Sequence, residues 1–158
     1  MKKHGTDAGH SPYTRLAVMA VASFVAMYAL MYAMVDRFSN ALPNLNQAYM
    51  AGLMTAPMIV IELVVMWSMY PNRRLNSALL AASAVMLGVC WTSIREQAAI
   101  TDQQFLKSMI PHHAGAILMC QETSLRDPEL ERLCRGIVSS QQQEIDFMKT
   151  KLRQNASR

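Results

Sequence analysis

Hydrophobic and polar positions divide the chain into two regions of different character. From Leu16 to Val35 a stretch of about 20 residues carries no charge, the length needed to cross a bilayer core. It exceeds a signal-peptide core, no small-residue cleavage site follows it, and Asp36 and Arg37 end it. The next segment, "FSNALPNLNQ" from Phe38 to Gln47, has turn chemistry and predicts a short loop. A second apolar run extends from about Met50 to Tyr70, with Pro57 and Glu62 inside it and Trp67 and Tyr70 suited to one membrane interface. "PNRRLN", Pro71 to Asn76, predicts a tight polar turn. A third run extends from about Ser77 to Ile94, with Trp91 near its end. Its small residues Ala81 to Ala84 and Gly88 allow close helix approach.

After Arg95 the long apolar runs stop and helical periodicity takes over. Thr101 or Asp102 is the expected N-cap of a helix reaching about Ser124. Asp127 caps a second helix, with Pro128 at its first position and Glu129 and Glu131 at the positive end of the dipole; it continues to about Arg153. No strand pattern of any length appears. The expected fold is all-α: a cytoplasmic tail over 1–15, a three-helix transmembrane region over 16–95, and a helical hairpin over 96–158.

Composition agrees with this division. Charged residues are 16% of the chain, against about 25% in an ordinary soluble protein, and most of them follow Arg95. Lys2, Lys3 and Arg15 precede the first span, Arg37 alone lies in the first loop, and Arg73 and Arg74 lie in the second. The positive-inside rule then places the N-terminus and the second loop in the cytoplasm and everything after Arg95 outside. No interleaved basic and aromatic stripe is present, so nucleic acid is not an expected partner; the lipid bilayer is.

The candidate chemistry lies in "MIPHHAGAILM", Met109 to Met119. On a helical wheel, at about 100° per residue, Asp102, Met109, His113 and Cys120 fall within roughly 40° of one another, and His112 and Met119 form a neighbouring stripe. Pro111 bends the helix or restarts it. On the following helix Leu130, Leu133, Ile137, Gln141, Glu144 and Met148 share a face. Antiparallel packing would set Met109 and His113 opposite Glu144 and Met148, at the membrane-proximal end of the hairpin. Thioether, thiolate and imidazole together suit Cu(I), with zinc a poorer match. The di-iron Glu-x-x-His signature is absent, since Phe147 follows Glu144 by three, and so is His-Glu-x-x-His. These absences count against an oxidoreductase or hydrolase.

Each feature also has a plain structural reading. Methionines commonly fill core gaps, and adjacent histidines point about 100° apart on a helix, so one can face the core and the other water. Cys120 and Cys134 lie at comparable heights flanking the turn; a disulfide and a thiolate ligand are both open. Met27, Met31 and Met34, then Met50, Met54 and Met58, repeat at helical spacing within the spans, where packing is the default and a copper-conducting stripe the alternative. Glu62 is a carboxylate in an apolar span, hence a candidate for function. It is equally a protonated side chain bonded to a neighbouring helix, or one placed nearer the interface.

"DQQFLKSMIPHHAGAILM", followed about two dozen residues later by "QQQEIDFM", resembles the bacterial family called domain of unknown function 305. The matching positions are Asp102, Phe105, Met109, Pro111, His112, His113, Gln141, Glu144, Ile145 and Met148. The resemblance implies a ferritin-like helical fold, with copper bound by some periplasmic members. The membrane part also resembles spans of membrane-bound members. Only one copy of the motif is present, and Cys120 and Cys134 are not part of the pattern. The expected reading is a multi-pass protein of the bacterial inner membrane with a periplasmic or extracellular hairpin that binds copper as Cu(I), in storage, delivery or tolerance. Expected ligands are His113 and Met109, then Met148 and His112, with Glu144 orienting a histidine; Asp102, Met119, Cys120 and Gln141 are further candidates. One motif copy supplies half of a four-helix bundle, which implies a homodimer. The competing reading is a metal-free membrane assembly protein whose hairpin only oligomerises. No copper donor or acceptor protein is indicated.

The topology has a direct check. A reporter that works only outside the cytoplasm will be active when fused after Arg158; activity instead of one that works only inside the cytoplasm would invert the orientation.

Overall fold

The computed structural model describes residues 11–156. The lysines of the expected cytoplasmic tail lie outside these residues. Five α-helices follow one another: α1 (Pro12–Leu30), α2 (Leu45–Val65), α3 (Arg73–Arg95), α4 (Asp102–Glu122) and α5 (Pro128–Ala156). Short 3-10 turns at Met31–Met34, Phe38–Asn40 and Trp67–Met69 complete the described residues, which contain no strand.

Side-chain caps set the starts of the helices, and they move the spans from where the apolar runs alone place them. Ser11 caps α1, accepting from the Thr14 N–H, with Pro12 in the first turn, so this helix begins before Leu16. Asn44 caps α2 through Gln47 N–H, which draws the polar Asn46 and Gln47 into the first turn and starts the helix ahead of Met50. Asn72 caps α3 through Leu75 N–H, so most of the predicted polar turn is already helical. Thr101, not Asp102, caps α4.

Three helices are long and apolar enough to cross a membrane: Pro12–Met34, Leu45–Val65 and Arg73–Arg95. Val18, Val21 and Val25 of α1, Ile61 and Val64 of α2, and Val85 and Val89 of α3 are exposed. Such apolar surface on every span calls for lipid rather than water. α2 is the central helix, packed against both others. Its Gly52 faces α3 closely: a Cβ there would sit 2.8 Å from the Cys90 sulfur. Glycine is what permits that approach.

α4 and α5 run antiparallel, joined by the segment Thr123–Asp127 and by a disulfide between Cys120 and Cys134, whose Cα atoms are 5.2 Å apart. Between them lies a core of Ile110, Ala114, Ile117, Ile145 and Met148. Val35 and Leu42, from the connection between α1 and α2, pack on the same core. The helix pair is therefore seated on the connection between α1 and α2 rather than free of it.

Pro111 neither ends nor restarts α4, which is continuous from Asp102 to Glu122. A proline there leaves the Lys107 carbonyl without its helical donor. The Asn44 side-chain amide points at that oxygen, at 3.5 Å. Two shorter contacts join it. The N–H of Leu45, an orphan donor in the first turn of α2, donates to Gln104 Oε1 at 3.0 Å, and Asn46 Nδ2 donates to Ser108 Oγ at 3.3 Å. The Leu45 N–H is thus satisfied across the seat, while the Lys107 carbonyl has the longer approach of an Asn44 amide whose two hydrogens have nearer acceptors in Gln47 Oε1, at 2.7 Å, and the Leu42 carbonyl, at 3.0 Å.

Asn44→Ala will remove both the α2 cap and the Lys107 contact. The expected cost is about 1–2 kcal/mol, read as a lower denaturation midpoint in detergent, with cleavage by a protease appearing first near the α3–α4 connection. An unchanged midpoint and cleavage pattern would show that the seat is held by apolar packing alone.

Candidate functional site

α4 has two working faces. One turns Ile110, His113, Ala114 and Ile117 toward α5, all of them buried. The other turns His112, Gly115, Ala116 and Met119 toward the α1–α2 connection. The two histidines of the motif fall on different faces, as their angular separation demands.

His113 is 7% exposed, and both of its ring nitrogens are engaged. Nδ1 lies 2.9 Å from the carbonyl oxygen of Met109. A carbonyl only accepts, so Nδ1–H is the donor. Nε2 lies 2.7 Å from Glu144 Oε2, on α5. A lone pair on each of these atoms would repel at that distance, so a further proton sits between them, on the imidazole or on the carboxyl. The expected contact between Glu144 and a histidine is present. It fixes the register of α4 on α5 and leaves His113 no free lone pair.

His112 is exposed, and no hydrogen bond engages its ring nitrogens among the described residues. Its ring meets that of His113 edge-on, with centroids 6.1 Å apart. It lines an open cleft of about 580 Å³. Five methionines share this cleft with it: Met31 and Met34 from the turn after α1, Met50 from α2, and Met109 and Met119 from α4. Asn44, Asn46 and Gln47 supply a polar wall. Gly115 faces the turn after α1, where a Cβ would lie 3.4 Å from the Met34 carbonyl oxygen, an ordinary contact.

The remaining candidates are dispersed. Met148 is buried in the α4–α5 core, where Met109 packs against it. Asp102 is exposed in the first turn of α4, favourably placed for the helix dipole. Gln141 is half-buried on α5 and outside the cleft. Cys120 is bonded to Cys134, so its sulfur is not a thiolate. Glu62 sits in the last turn of α2, at the opposite end of the spans from the cleft, and accepts from the Tyr70 hydroxyl at 3.2 Å. Burial, with the neighbouring Glu62, pushes the Tyr70 phenol up, which keeps it a donor.

Among the described residues, no three His, Cys, Asp or Glu side chains come together in a group able to hold a metal. The donor set of the cleft is instead thioether with one imidazole. That set fits Cu(I) and is poor for zinc or for hard cations. The wheel of α4 ranked His113 first and did not bring in Met31, Met34 or Met50. Their signal lies in their positions: they stand at the end of the first apolar helix and the start of the second, at the end of the three-helix part where α4 begins.

Two comparisons bear on kinship. Residues 82–152 match the model of the family described as Domain of unknown function (DUF305), from the middle of α3 through most of α5. The chain is also 34% identical over 136 residues to an uncharacterized protein of Acanthamoeba polyphaga mimivirus, covering 84% of this chain and 88% of that one. A match of that length takes in part of the three-span region as well. No solved structure matches the chain. The motif on α4 and α5, the family match and the long relative together show that the chain belongs to the DUF305 family.

Proposed function

We propose that the chain is a membrane-anchored protein that binds Cu(I) outside the cytoplasm through α4, in storage, delivery or tolerance of copper. The observation that carries this reading is the free imidazole of His112, with Met109 and Met119 beside it on the same cleft. Thioethers are soft ligands that favour Cu(I), and imidazole is compatible with copper. Bound there, the ion would be held in its reduced state by soft donors. His113 and Glu144 support the site indirectly, by holding α4 in register on α5.

Two observations support the outward placement. Arginines and lysines favour the opposite end of the spans, and the Cys120–Cys134 bridge suits an oxidising compartment such as the periplasm or the cell exterior. The hairpin of α4 and α5 leaves Leu130, Leu133 and Phe147 exposed. A second copy would cover them and complete a ferritin-like four-helix bundle. The same residues favour the second reading, a metal-free assembly protein that oligomerises through its hairpin.

Cu(I) titration of the full chain in detergent, against a competing chelator, separates the two. On the copper reading His112→Ala with Met109→Leu weakens binding at least about tenfold, a loss no smaller than removing a group that merely orients a ligand. Leu keeps the volume and apolarity of Met, so the fold persists. His113→Ala lowers stability and leaves the affinity of folded protein nearly unchanged. Equal affinity in wild type and the double variant would leave the assembly reading standing, and a chain that is dimeric with or without metal would then be its signature.

A further inference from the structure

We infer that the Cu(I) site is shared between the two parts of the chain: the membrane-spanning region contributes Met31, Met34 and Met50 to the same ion that α4 approaches with Met109, His112 and Met119. This rests on the copper reading above and adds to it a location and a consequence. The ion sits at the membrane boundary, and binding it fastens the α4–α5 pair to the spans.

The observation is one of placement. Met31 and Met34 lie three residues apart in the turn that ends the first span, and Met50 lies in the second turn of α2. These two elements are separated by the loop 35–44, yet their methionines line the same open cleft as α4. Met34 and Met50 are partly exposed, as is Met119, so none of the three is consumed as core packing. This distinguishes them from Met148, which fills the core between α4 and α5. A site made by α4 alone would offer few donors, because residues seven positions apart, such as His112 and Met119, are about two turns, or roughly 10 Å, apart along the axis. Donors from a facing element are needed to surround one ion.

The second consequence follows from how the seat is made. Among the described residues, three polar contacts join α4 to the start of α2, at 3.0, 3.3 and 3.5 Å, and Asn44, Asn46 and Ser108 from these contacts also line the cleft. Thioether and imidazole bonds to a single ion would add to these contacts. Metal binding then reduces opening of α4 from the spans, and release of the ion restores it. A copper donor or acceptor would meet this site from the membrane surface, not from the tip of the hairpin where the disulfide lies.

The test compares two sets of substitutions in the full chain, each checked for an intact disulfide and a cooperative unfolding transition. The first is Met31→Leu with Met34→Leu and Met50→Leu. The second is Met109→Leu with His112→Ala and Met119→Leu. Cu(I) affinity is measured by chelator competition, and amide exchange of α4 is followed with and without Cu(I), with Ag(I) as a redox-inert second probe. A shared site predicts at least about tenfold weaker binding for each set, and metal-induced protection of α4 in wild type that the first set abolishes. Loss of binding in the second set only, with protection retained in the first, would overturn the shared site and leave the copper reading intact. Loss in neither set, or no binding by wild type, would remove the copper reading and the shared site together. Loss in the first set only would move the site into the spans and contradict both.

Discussion

The seating of α4 on the first turn of α2 is the constraint on which the rest of the structure depends. Backbone groups that lack helical partners must find others when they leave water. Leu45 has such an N–H at a helix start, and Lys107 has such a carbonyl below Pro111; Gln104 answers the first from the opposite element, and the Asn44 amide approaches the second at 3.5 Å. Asn44 is central, because it also caps α2 and donates to the Leu42 carbonyl. Tyr28 donates to the carbonyl of Asn44 and accepts from its N–H, while Tyr32 binds the Leu42 carbonyl, so the end of α1 is tied to the same point. With that seat fixed, the faces of α4 follow: one must lie on α5, and the other must look into the space between α1 and α2.

Pro111 has a different meaning in this setting from the one periodicity gives it. Within an isolated helix a proline is a defect. Here it exposes a carbonyl at the place where a second element needs an acceptor, and it lines the cleft itself. The His113–Glu144 pair does the corresponding work on the opposite face, holding α5 at one register by a short polar contact between a buried imidazole and an exposed carboxylate at the edge of the core of Ile110, Ile117, Ile145 and Met148. Polar contacts thus fix where α4 lies, and apolar ones supply most of the free energy that keeps it there.

Local chemistry made much of the fold readable from residues alone. Three apolar runs, two later helices, the Asp127–Pro128 start of α5 and the facing of His113 to Glu144 all follow from spacing and capping. Helix starts were misplaced where a polar cap lay outside an apolar run, as at Asn44 and Asn72: hydropathy reports what lipid would accept, and caps report where hydrogen bonds begin. The cleft was less readable. A wheel gives angles within one helix and says nothing about which face meets a distant element, so it does not separate the face of His113, on α5, from that of His112, on the cleft. Met31, Met34 and Met50 looked like span packing because only the docking of α4 brings them to one place. Cys120 and Cys134 left two outcomes open, and the geometry of the antiparallel pair selects the disulfide.

In the proposed site, soft donors from α4 and from the spans surround one Cu(I) ion. X-ray absorption at the copper edge of the full chain, loaded with one equivalent of Cu(I) in detergent, examines the donors themselves. The account predicts a first coordination shell dominated by sulfur, at thioether distances, with a single imidazole contribution. A shell made only of nitrogen and oxygen, or one carrying two imidazoles and no sulfur, would contradict it.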